Sequence, residues 1–69
     1  MACEPGTLAA TTEPVTVQIG WLGFKTIPAR TTGVVVEVEG VISPRARVRF
    51  TLDGESVEEW IPCDELAFH

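Results

Sequence analysis

Tyrosine is absent from these 69 residues, methionine and histidine occur once each, and cysteine occurs twice. Each shortage closes a class of chemistry. His69 is the final residue and has no Ser or Cys placed to work with it, so a nucleophilic triad within one chain is excluded. Two thiols and one imidazole fall short of the roughly four ligands of a zinc site. No apolar run approaches the roughly 20 residues that a membrane-spanning helix needs. Met1-Ala2-Cys3-Glu4-Pro5-Gly6 has neither the cationic start nor the apolar stretch of a secretory signal, and Cys3 lacks the apolar segment that precedes a lipid attachment site. The expectation is a cytoplasmic chain without a membrane partner, metal or cofactor, in which Cys3 and Cys63 are free thiols.

Positive charge is also scarce. Five Lys and Arg face ten Asp and Glu, a net charge of −5, which disfavours a sequence-independent grip on nucleic acid. The balance shifts along the chain. Residues 1–24 carry only Glu4 and Glu13. All five cations, Lys25, Arg30, Arg45, Arg47 and Arg49, lie in residues 25–50 with Glu37 and Glu39. Residues 51–69 carry six acids and no Lys or Arg. Such a surface suits a neutral or basic protein partner.

What the chain does have is a strand pattern. Its apolar fraction of 45% is ordinary for a globule, and its length allows one domain. Residues 1–14, rich in Ala, Thr, Pro, Gly and Glu, read as a flexible arm, leaving 15–69 as the folded unit. Val15, Val17 and Ile19 alternate on one strand face. Gly20-Trp21-Leu22-Gly23-Phe24 breaks that rhythm as a loop or bulge, and Lys25 to Arg30 reads as a further extended or loop segment. After Gly33, alternation places Val34, Val36 and Val38 inward and Val35, Glu37 and Glu39 outward. Gly40 to Pro44 is a loop, and Arg45, Arg47 and Arg49 then alternate with Ala46, Val48 and Phe50. Asp53-Gly54 signals a tight hairpin, because glycine accepts positive φ at little cost. Val57 to Ile61 is the return strand, expected to bulge at Glu58-Glu59. Pro62 to Glu65 suits one 3₁₀ turn, and Leu66-Ala67-Phe68 a last short strand.

The ending Trp60-Ile61-Pro62-Cys63-Asp64-Glu65-Leu66 is similar to the aliphatic–proline–turn–aliphatic close of SH3 domains. Arg30-Thr31-Thr32-Gly33-Val34-Val35 resembles the start of KOW-type barrels. The resemblance implies an all-β chain, a small SH3-like antiparallel barrel of about five strands with a short 3₁₀ turn near the C-terminus. Departures bear on function. SH3 grooves clamp polyproline between aromatic side chains, several of them tyrosines. Here there is none, and Glu65 stands where the groove's tyrosine would be. Five aromatics, some needed for a core, are also few for a Tudor-type methyl-lysine cage. Plasmid-borne small-barrel dihydrofolate reductases share the layout, but their Val-Gln-Ile-Tyr strand is missing.

Two candidate surfaces remain. Trp21, Leu22 and Phe24, with Trp60 able to join them, are either a binding hot spot or the cap of an open barrel end, and equally a subunit interface. Arg45, Arg47 and Arg49 form a row that could hold phosphates. With a five-residue loop, however, Glu39 falls opposite Arg45 and Glu37 opposite Arg47, and Glu58 can face Arg49. A neutralised ladder is the expected state. The remaining acids, Asp53 to Glu65, lack calcium-loop spacing and read as solvated surface. Asp64 and Glu65 beside Cys63 oppose thiolate formation there. The expected role is therefore a non-catalytic protein-interaction module or accessory subunit, bound to another protein or to a second copy of itself. The alternatives are a nucleic-acid or nucleoprotein-binding barrel that uses the arginine row, and an enzyme whose site forms only at an oligomer interface.

Overall fold

Alternating β-branched and charged residues give the chain its long strands, and the positive-φ residues mark where it reverses. The structure, a computed structural model, describes residues 3–68, the side chain of Ile19 excepted; His69 lies outside the described residues. It is all-β, with strands β1 (Leu8–Thr11), β2 (Val15–Ile19), β3 (Gly23–Ile27), β4 (Thr32–Glu39), β5 (Arg45–Leu52), β6 (Glu55–Pro62) and β7 (Leu66–Phe68). One 3₁₀ turn, Cys63–Glu65, precedes β7. Five strands form an antiparallel sheet in the order β6-β5-β4-β1-β7, and β2 and β3 form a separate two-stranded sheet. These are two open sheets, so the expected closed five-stranded barrel is not what the described residues form.

The meander β4–β5–β6 follows the expected pairing closely. Glu39 pairs with Arg45 across the five-residue loop, and Glu37 with Arg47. Leu52 pairs with Glu55 across Asp53-Gly54, whose φ values of 52° and 81° suit a two-residue hairpin turn with both central residues left-handed. The departures are in phase. In β4 the register shifts between Val35 and Glu37, leaving Val36 as the extra residue of a bulge. That residue reverses the alternation. Val38, Glu37 and Glu39 point as expected, but Val35 enters the core opposite Val48 and Val34 lies outside opposite Arg49. The inward position preceding Val35 is Gly33. A Cβ there would lie 2.6 Å from the Arg49 carbonyl oxygen and 2.8 Å from Phe50 Cδ1, so glycine lets the two backbones approach.

In β6, by contrast, the expected bulge at Glu58-Glu59 is absent and pairing with β5 is continuous. Glu59 sits opposite buried Val48, on the inner face of a strand at the sheet edge. Its carboxylate accepts a hydrogen bond from the Trp60 N–H at 3.2 Å. An inward charge on an edge strand discourages pairing with further strands.

Two expectations about the chain ends are overturned. Leu8–Thr11, inside the segment read as a flexible arm, is a central strand paired with β4 on one side and β7 on the other. Ala9 fits between Gly33 and Phe68, a place for a small side chain. Buried Thr11 fixes the end of β1: its Oγ1 donates to the Pro28 carbonyl at 2.8 Å and accepts from the Thr31 N–H at 3.1 Å. Cys3 and Cys63, expected as free thiols, are joined in a disulfide across 60 residues, with Cα atoms 6.1 Å apart. Pairing of β1 within the sheet carries Cys3 back to the 3₁₀ turn, a proximity no spacing along the chain reveals.

The core is Ala9, Val17, Ile27, Val35, Ala46, Val48, Phe50, Ile61, Cys63 and Leu66, drawn from both sheets. Val17 and Ile27 are the hairpin's contribution.

Candidate interaction surface

The β2–β3 hairpin has an inner and an outer face because paired residues share a side. Val17 and Ile27 turn into the core. On the outer face Thr16 pairs with Thr26 and Gln18 with Phe24, all exposed. Ile19 pairs with Gly23, so Gly20-Trp21-Leu22 is the connecting loop, opened by Gly20 at φ 63°. Trp21, Leu22 and Phe24 are 83%, 78% and 74% exposed. They therefore do not cap the core, whose buried members lie elsewhere. From Gln18 to Phe24 the tip carries no charge.

One ion pair ties this hairpin to the meander: Lys25 Nζ lies 2.8 Å from the Asp53 carboxylate in the β5–β6 turn. The hydrogen bond and charge of Lys25 hold the Asp53 carboxyl below its ordinary value of 3.8.

The arginine row has a different character. Arg45 Nε donates to Glu39 Oε1 at 2.9 Å, and Arg49 Nε to Glu58 Oε2 at 2.9 Å. Arg47 reaches Glu37 at 2.9 Å and Glu58 at 3.4 Å. Three carboxylates thus answer three guanidiniums on the outer face, as the expected register requires. Trp60, opposite Arg47, completes this face, with the Arg45 and Arg47 guanidiniums 5.3 and 5.9 Å from its ring centroid. Trp60 is therefore partly covered and belongs with the arginines in the five-stranded sheet, whereas Trp21, Leu22 and Phe24 share the hairpin tip. Arg30 is the one cation without an ion pair among the described residues.

Two features escaped the sequence reading. Val41 and Ile42, in the β4–β5 loop, are each 96% exposed. The apolar pair between Gly40 and Ser43 was the available signal. A cavity of about 550 Å³ lies between that loop, through Ile42 and Pro44, and distant segments of the chain, through Cys3, Cys63 and Phe68. It depends on contacts between distant segments, so no local pattern announces it. Among the described residues no cluster of three or more His, Cys, Asp or Glu is placed to hold a metal ion, and no helix is long and apolar enough to cross a membrane. Comparison of the chain with protein-family models, curated proteins and solved structures returns no match.

Proposed function

We propose that this chain is a non-catalytic protein-interaction module or accessory subunit that docks through Trp21, Leu22 and Phe24. One observation carries the reading: three large apolar side chains stand in water together on an uncharged hairpin tip whose inner face is anchored in the core. Hot spots are built from such aromatic anchors, and truncating one typically costs 2 kcal/mol or more, roughly 30-fold in affinity. The occupant is a partner protein or a second copy of the chain.

An SH3-like layout is the fold reading we favour. It is supported by a hairpin inserted between β1 and β4, the first two strands of the five-stranded sheet in chain order, a three-strand meander, a 3₁₀ turn, and a last strand that pairs with the first. The nucleic-acid alternative loses support because Glu37, Glu39 and Glu58 occupy the arginine row. The Cys3–Cys63 disulfide supports an oxidising compartment in place of the expected cytoplasm.

The test compares wild type, Trp21→Ala and Arg47→Glu as bait in native lysate, together with sedimentation of the purified chain. Loss of a partner, or of self-association, with Trp21→Ala but not with Arg47→Glu supports the hairpin. Equal recovery by wild type and Trp21→Ala rejects it.

A further inference from the structure

We propose that the cavity beside the Cys3–Cys63 disulfide binds a small amphiphilic amine, with its apolar body against Ile42, Pro44, Pro62 and Phe68 and its ammonium on Asp64. This site is separate from the hairpin tip and does not depend on it. A volume of about 550 Å³ lies within the roughly 300–1,000 Å³ usual for small-molecule sites. Apart from Ile42 on its exposed loop, the walls are restrained. The disulfide joins Cys3 to the 3₁₀ turn, the Cys63 N–H donates to the Pro44 carbonyl at 3.0 Å, and two prolines limit backbone freedom. A site held in shape before binding loses less entropy when filled.

Charge selects the ligand. Only Arg45 and Asp64 among the lining residues are ionic. Arg45 is already engaged by Glu39 and lies over the Trp60 ring. Asp64 has no ion pair among the described residues, and Glu65 beside it adds further negative potential. The uncompensated charge on the rim is therefore negative, and an apolar molecule with one cationic head matches it.

Three probes of matched shape separate these contributions: 4-phenylbutylamine, 4-phenylbutanol and 4-phenylbutyrate, titrated at neutral pH into the oxidised chain and followed by backbone amide chemical shifts. The amine is expected to move Ile42, Cys63, Asp64 and Phe68 saturably and to bind about threefold tighter than the alcohol, the scale of one partly exposed ion pair. The carboxylate should bind weakest. Asp64→Asn, at an exposed position, should erase the preference for the amine. Ile42→Ser, on an exposed loop, should weaken all three probes alike. Trp21→Ala should change nothing here, so failure of the hairpin reading leaves this result intact. Tightest binding of the carboxylate, a preference that survives Asp64→Asn, or shifts without a focus on the cavity would each overturn the proposal.

Discussion

The β2–β3 hairpin and the β4–β5–β6 meander are both antiparallel ribbons with one face in the core, yet they treat water oppositely. The meander's outer face is paired in charge: Glu39, Glu37 and Glu58 answer Arg45, Arg47 and Arg49, with the buried Arg47 Nε lacking a hydrogen-bond partner among the described residues, and two guanidiniums lie over Trp60. The hairpin's outer face and tip offer Thr16, Gln18, Trp21, Leu22, Phe24 and Thr26, with no charge among them and no ion pair. A face whose groups are matched within the chain has little left to give a partner. A face with unmatched apolar area gains free energy only when something covers it. The difference separates a structural surface from a recognition surface within a single small domain.

Two phenylalanines test that contrast most sharply. Phe50, 0% exposed, belongs to the core of the meander, whereas Phe24 stands in water on the hairpin. Phe50→Ala should cost about 4 kcal/mol. A chain of this length has a total stability of only roughly 3–10 kcal/mol, so the variant should be largely unfolded by circular dichroism at 37 °C or in mild denaturant. Phe24→Ala should change stability by less than about 0.5 kcal/mol while weakening partner capture. Comparable destabilisation by both would mean that the tip is packed in solution and the comparison is wrong.

Next in size is the disulfide, which pins the segment before β1 to the 3₁₀ turn and leaves the hairpin untouched. Closing a loop of 60 residues lowers the entropy of the unfolded chain by the equivalent of about 4 kcal/mol, and residual unfolded structure reduces this to roughly 3. Denaturant midpoints with and without a dithiol measure it. An unchanged midpoint after complete reduction would show that strand pairing, Ala9 burial and the Thr11 hydrogen bonds hold β1 without the disulfide. The dithiol should not reduce partner capture under conditions where the chain stays folded.

These regions were not equally legible in the sequence. Where side chains alternate and oppose each other directly, local pattern suffices: the Asp53-Gly54 turn, the Arg45–Glu39 and Arg47–Glu37 pairs, and the 3₁₀ turn at Cys63 all follow from neighbours a few residues apart. It misleads where one residue breaks the count. Val36 flips Val34 and Val35, and the close approach of Gly33 to Arg49 and Phe50 that accompanies the shift is a contact between strands. Glu59 invited the opposite error, since an inward charge suggests a bulge unless the strand is known to be an edge. Ala9 and Ala10 have no strand pattern at all. They are strand residues through pairing with distant segments: Ala9 lies between Gly33 and Phe68, and Ala10 between Thr32 and Ala67. The tip residues Trp21, Leu22 and Phe24 were legible as a cluster, but their exposure depends on tertiary placement.

Smaller effects probe the charge-paired face. Glu58 serves Arg47 and Arg49 together. Glu58→Gln should cost about 1 kcal/mol at low salt, because it weakens two partly exposed pairs worth about 0.2–1 kcal/mol each. Screening should remove most of that difference at about 1 M salt. A salt-independent loss would instead indicate that Glu58 contributes by packing. Binding through the hairpin should stay at the wild-type level.

The smallest effect lies at the junction of the two regions. Lys25 on β3 holds Asp53 in the β5–β6 turn, and this partner lowers the folded-state carboxyl pKa below 3.8. A carboxyl depressed by folding contributes stability above its unfolded pKa and loses it as pH falls through the lower, folded value. Wild type should therefore exceed Asp53→Asn slightly at neutral pH. The two should converge only when the pH drops below 3.8 and Asp53 is protonated in both folded and unfolded chains. Denaturant midpoints of the pair between neutral pH and strong acid measure the difference. Asp53 is fully exposed, so the gap should be small and shrink with salt. A constant gap at every pH would assign it to the turn, where Asp53 adopts φ 52°, and would leave the hairpin attached to the body by its apolar contacts, Val15, Val17 and Ile27.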